Sequence, residues 1–378
     1  MIYLDNSSTT KPCESAINAA EHALRDVWGN PSSLHRLGVE AENIINNTRV
    51  DIADMLDCRE DEIYFTGSGT EANNMAVIGA AEAMKRRGNK IITTSVEHPS
   101  VLNPCAYLEQ NGFEVVRIKP HSDGHIHADD ILSAVDNKTV LVTMMLVNNE
   151  TGCIFPVSEV AEGLKEMKSR ALLHADCVQA FGKMNIDVSD LQVDLLSASG
   201  HKIHGPKGIG ILYKKKSVNI KPIIHGGNQE NGLRSGTESV PLIAALKGAL
   251  SELTVEASLK KLTDLHAYAC RRLSEADGIL INSPLNNILP YIINISVLGF
   301  RSETLLHFLE NRDIFVSSGS ACSKGKGSHV LNEMGLASDR TDSALRISFS
   351  RYSTKDDIDM LCEALHDAQN TLRRKQGH

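Results

Sequence analysis

The sequence has no apolar run approaching the roughly 18 residues of a membrane-spanning helix. Met1-Ile2-Tyr3-Leu4-Asp5 leads straight into polar sequence without the apolar core of a signal peptide, so the expected location is the cytoplasm, with no membrane partner. Paired cysteines are also missing. The eight cysteines, at 13, 58, 105, 153, 177, 270, 322 and 362, stand singly in a chain of 378 residues, which argues against a disulfide scaffold and against a paired-cysteine zinc site. No metal is expected. Nor is there an excess of positive charge: the formal net charge of -8 disfavours general attraction to nucleic acid or anionic lipid. The short basic runs Lys214-Lys215-Lys216 and Arg373-Arg374-Lys375 read as solvated surface. A chain of this length that is 42% hydrophobic suits a globular protein of two or three domains with a substantial core.

What is present is rhythm. Between about residues 60 and 215, β-rich runs at 90–95, 114–118, 139–147, 171–175, 195–197 and 208–213 alternate with helical stretches such as 71–87 and 157–168. This alternation predicts an α/β layer with a mostly parallel sheet, whose ligands gather at the carboxyl ends of the strands. A long helical region over 241–276 follows. The pattern then changes to strands at 291–297, 314–316 and 344–350 with helices at 303–311 and 355–374, which predicts a smaller α+β domain. The expected division is an N-terminal segment (1–15) packing with the small domain, a large domain (16–255) and a small C-terminal domain (256–378). Low complexity is confined to the Ser, Gly and Lys residues on either side of Cys322.

The densest chemical signal is Ser197-Ala198-Ser199-Gly200-His201-Lys202, directly after an apolar strand. Lys202 alone would read as surface, but Ser199 and His201 offer phosphate donors beside an amine able to form a Schiff base. Upstream, Leu172-Leu173-His174-Ala175-Asp176 ends a buried strand in a carboxylate that is either a helix N-cap or the partner of a cation. Thr66-Gly67-Ser68-Gly69-Thr70-Glu71 is a Gly-rich turn into a helix, which describes an ordinary cap or a cradle for a phosphate dianion. Together, a phosphate cradle, a carboxylate for a ring nitrogen and such a lysine describe pyridoxal 5'-phosphate. Arg346 sits in an apolar strand, where an unpaired guanidinium is costly. An internal salt bridge or a bound anion would satisfy it.

Tyr3-Leu4-Asp5-Asn6, Gly29-Asn30-Pro31-Ser32-Ser33, Glu97-His98, Val147-Asn148-Asn149-Glu150-Thr151-Gly152, Ser199-Gly200-His201-Lys202, Arg234-Ser235-Gly236-Thr237 and Ser317-Ser318-Gly319-Ser320-Ala321-Cys322 occur in that order. In these motifs, over nearly its whole length, the chain resembles the cysteine desulfurases of the class V aminotransferase group, fold type I pyridoxal-phosphate enzymes. The resemblance implies conversion of L-cysteine to L-alanine with the sulfur carried as a persulfide on Cys322. By the same resemblance Lys202 holds the cofactor covalently, Asp176 pairs with its ring nitrogen, and His98 stacks on the ring and acts in catalysis. Asn149 and Gln179 bond its phenolic oxygen, while Gly69, Thr70, Ser199 and His201 hold its phosphate. Thr237 reaches the phosphate of a second subunit, which implies a homodimer. Arg346 takes the substrate carboxylate, and Asn30 is a further substrate contact.

The implied partner is a sulfur acceptor, an iron-sulfur scaffold or an enzyme of tRNA thiolation or thiamine synthesis. The loop after Cys322 departs from the form, often containing Leu-Glu-Pro, that iron-sulfur desulfurases carry. Asn6-Ser7-Ser8-Thr9-Thr10 has serine where the family often has alanine, a change expected to be harmless. The alternative is a selenocysteine lyase or another lyase or aminotransferase of the class, which would need no nucleophilic Cys322.

Overall fold

The computed structural model describes residues 1–318 and 327–372. Cys322 and the basic run at 373–375 lie outside the described residues. Among the described residues the main sheet has seven strands, in the spatial order Ile63–Thr66, Gly210–Lys214, Leu195–Ser199, Leu172–Asp176, Thr139–Met145, Lys90–Thr94, Glu114–Ile118. Only Gly210–Lys214 is reversed, antiparallel to both neighbours, and the other pairings are parallel. This is the α/β architecture with a mostly parallel sheet that the rhythm predicts. The central strands are buried along their length, and Thr139–Met145 has no exposed residue. A sheet covered on both faces needs such continuous apolar runs, which is why the strands show as runs in the sequence.

A second sheet orders Ala344–Ser348, Ile292–Val297 and Ile279–Ile281, all antiparallel. Strand Ile2–Tyr3 pairs in parallel with Ile314–Phe315, so the N-terminal segment runs beside this sheet. The helical stretch expected over 241–276 is two helices, Val240–Ser251 and Val255–Ser274. No Gly or Pro marks the break, and its cause is tertiary. Arg351 donates to the Glu252 carbonyl at 2.6 Å and pairs with its carboxylate, and Ser15 N donates to the same carboxylate, which together satisfy the freed helix end. No helix among the described residues is long and apolar enough to cross a membrane.

Candidate active site

Parallel strands bring their carboxyl ends to one edge of the main sheet, and two neighbouring central strands end there in polar side chains. Asp176 closes its strand, and Ser199 closes the next. A single 3-10 turn, Gly200–Lys202, then swings Lys202 over that edge. The N-terminal segment clamps this turn from outside: Thr10 Oγ1 donates to the His201 carbonyl at 2.9 Å and accepts from His204 N at 2.7 Å. His204 is held at a φ of 65°, a left-handed conformation that such clamping has to maintain.

The edge opens into a cavity of about 550 Å³. His98, Gly69, Thr70, Asn149, Asp176, Gln179, Ser199, His201, Lys202 and Arg346 all line it. Residues from 69 to 346 in the chain thus converge on one space. Among the described residues, two expected site residues do not line it. Asn30 is exposed and its Oδ1 accepts from Ser32 N at 2.9 Å, capping its own turn. Thr237 is exposed on the surface.

At one end, helix Gly69–Met84 presents its N-terminus, capped by Ser68 Oγ accepting from Glu71 N at 3.1 Å. A Cβ at Gly69 would lie 2.8 Å from Val178 Cγ2 and 3.1 Å from Ser199 Cβ, so only glycine fits this close approach. Ser199 Oγ is buried with no protein partner. A buried hydroxyl without a partner beside free helix amides is a ready anion site.

Asp176 is 5% exposed and holds only neutral partners, Asn73 Nδ2 at 2.7 Å and Val178 N at 2.9 Å. Burial raises its pKa, the state of a carboxylate that wants a cation beside it. Lys202 Nζ donates to the Ser7 and Ser8 carbonyls, and burial together with nearby Arg346 brings its pKa down to about 8. His98 is the N-cap of helix Pro99–Gln110. Its Nδ1 accepts from Ser100 N at 3.1 Å and lies 2.7 Å from Ser100 Oγ, which places the proton on Nε2. The same Ser100 hydroxyl accepts from Asn73 Nδ2 at 2.8 Å, so one amide ties the His98 lock to Asp176. Although solvent in the cavity reaches His98, surrounding protein disfavours its charged form and outweighs the pull of Asp176.

Gln179 lines the cavity with both ends of its amide engaged: Nε2 donates to the Ser7 carbonyl at 2.9 Å, and Oε1 accepts from Lys183 Nζ at 3.0 Å. Arg346 resolves the choice left by the sequence. It forms an internal ion pair with Asp5 at 2.9 Å and also faces the cavity. Its Nη1 donates to the Asn149 carbonyl at 3.0 Å, and its buried Nε has no protein partner.

Several lining or supporting groups are not legible from single motifs. Ser7 and Ser8 enter because the N-terminal segment folds back over Lys202. Asn73 follows Thr70 by one helical turn, a spacing that places both on one side of the helix. Glu97 and Glu150, inside quoted motifs, are buried carboxyl groups whose desolvation pushes them up to about 8 and about 7. Ser328 Oγ donates to Glu150.

The aminotransferase class-V family model matches residues 2–361. A NifS/IcsS protein homolog of Lactobacillus delbrueckii subsp. bulgaricus is 42% identical over 377 residues, covering 97% of each chain. A cysteine desulfurase IscS of Dictyoglomus turgidum is 38% identical over 377 residues, covering 98% of this chain and 95% of its own. Among solved structures, a NifS-like protein superposes with a TM-score of 0.93 at 34% identity, covering 98% of this chain and all of its own.

Proposed function

Because the chain belongs to the class V aminotransferase family and to its cysteine desulfurases, we propose that it uses pyridoxal phosphate in this cavity to pass the sulfur of cysteine to Cys322. The observation that carries the cofactor assignment is the set of unmatched groups around one space. Ser199 Oγ without a partner and the Gly69 cradle suit a phosphate, and the buried Asp176 without a cation suits a protonated ring nitrogen. Lys202 supplies the amine for the aldehyde, with Thr70 and His201 beside the phosphate, His98 against the ring, and Asn149 and Gln179 toward its oxygen.

Bound pyridoxal phosphate withdraws electrons from the substrate's Cα and makes its proton removable. Lys202, an amine held near pKa 8, can take and return that proton close to neutral pH. Asp176 keeps the ring nitrogen protonated, and His98 offers its Nε2–H for a second proton. Arg346 holds the substrate carboxylate. The Cys322 thiolate attacks Sγ, so that an S–S bond forms while the Cβ–Sγ bond breaks. Its electron pair stays on carbon, which is protonated to the methyl group of alanine.

The working unit is a homodimer in which Thr237 of each copy serves the other's phosphate, in keeping with its exposed position outside its own cavity. The persulfide is delivered to an acceptor protein, an iron-sulfur scaffold or a thiolation enzyme, from the cytoplasm. Incubating the purified holoenzyme with cysteine and a reducing dithiol, which releases the persulfide sulfur as sulfide, should yield alanine and sulfide in equal amounts. Pyruvate in place of alanine would contradict the assignment.

A further inference from the structure

Arg346 cannot meet a carboxylate without giving up a partner it already has. A two-point grip uses Nη2 together with Nη1 or Nε. In this structure Nη2 is shared between Asp5 Oδ1 at 2.9 Å and Ser8 Oγ at 2.6 Å. The Ser8 hydroxyl in turn donates to Asp5 Oδ1 at 2.7 Å, so its lone pairs are left to face the guanidinium. Of these two partners, Ser8 lines the cavity and Asp5 does not. The group standing between Nη2 and an anion in the cavity is therefore a neutral hydroxyl.

We propose that Ser8 is a specificity-determining residue of the substrate site, an internal stand-in that occupies the cavity side of Arg346 and is displaced by the incoming carboxylate. Two pressures fit this role. A buried guanidinium needs acceptors while the site is empty, and Ser8 supplies one without adding a second charge. A neutral acceptor also yields to a carboxylate, which makes the stronger bond, whereas a second acid in its place would compete on equal terms. Exchange of one hydrogen bond for another sets a threshold that anions gripping at two points pass and weaker ligands do not. The serine at this position, where a methyl side chain would leave Nη2 with Asp5 alone, thus trades affinity for selectivity.

The inference rests on the assignment of Arg346 to the substrate carboxylate, and its test separates the two. In holoenzyme carrying Ser8→Ala, the KM for cysteine should fall about tenfold or more, the worth of one hydrogen bond from a charged donor, with kcat within twofold of wild type. Cysteamine, the same aminothiol without the carboxylate, should bind both enzymes equally when titrated by the absorbance of the bound cofactor. An unchanged or raised KM for cysteine, or a parallel gain for cysteamine, overturns the proposal. Arg346→Lys, which keeps the charge and removes the fork, should raise the KM for cysteine at least tenfold. If Arg346→Lys has no effect, both assignments fall. If it raises KM while Ser8→Ala does not lower it, only the role of Ser8 falls.

Discussion

Lys202 is oriented by neighbours far away in sequence, and His98 by Ser100 two residues on. Lys202 is held by the Ser7 and Ser8 carbonyls, some 195 residues away. With the cofactor's contacts otherwise intact, Lys202→Ala should abolish alanine formation yet retain part of the bound pyridoxal phosphate, measured by mass and absorbance. An active Lys202→Ala enzyme would exclude the covalent assignment. For His98 the informative change is Ser100→Ala, which removes the hydroxyl between His98 and Asn73 and leaves the Ser100 N–H on Nδ1. Of the two hydrogen bonds this hydroxyl makes, loss of the one to His98, about 1 kcal/mol, predicts a fall in kcat of about fivefold with KM for cysteine little changed. A change confined to KM would show that the Ser100 hydroxyl serves binding and not the orientation of His98.

The turn into helix Gly69–Met84 is the element with least room for change. Gly69→Ala forces a methyl group against Val178 and Ser199, so cofactor affinity should fall at least tenfold in an absorbance titration while the fold persists. An affinity within twofold of wild type would mean that the cradle is not there. At this scale most elements are legible in the sequence, for a physical reason. Strands buried on both faces must be continuous apolar runs, and Lys90–Thr94, buried throughout, ends within one residue of where the pattern puts it. Strand Ile279–Ile281 is not legible, being three residues long with Leu280 exposed and held by pairing with Ile292–Val297. The division of the long helix escapes the pattern as well, since Glu252 and Arg351, 99 residues apart, make the break.

For the whole molecule, the cavity concentrates buried ionisable groups, and stability carries their signature. Glu97 has an ordinary pKa of 4.5, raised by burial to about 8. Below pH 4.5 both folded and unfolded states hold the proton and the contribution is fully present. As pH rises toward 8 the unfolded state releases it while the folded state keeps it, and stability is lost. Glu97→Gln carries no such proton. Between pH 5 and about 8 the wild type should therefore lose stability relative to the variant, by up to about 1.4 kcal/mol per pH unit. Parallel Tm curves for the two proteins would contradict the burial of an ionisable Glu97.

The site as a whole is only partly legible from sequence. Asp176, Ser199 and Lys202 are close enough in the chain to form motifs, but the pairing of Ser8 with Arg346 spans 338 residues and only folding reveals it. Thr237 does not line the cavity of its own copy, so that cavity alone does not assign it.

The central claim is that Cys322 takes the sulfur. It is tested most directly by Cys322→Ser holoenzyme given cysteine, with alanine and the mass of the residue-322 peptide measured on the same sample. Serine cannot accept a sulfur atom as a thiolate does. The cofactor spectrum should still respond to cysteine while alanine formation collapses and the sulfur adduct found on the wild-type peptide is missing. Alanine formed at the wild-type rate would contradict the account.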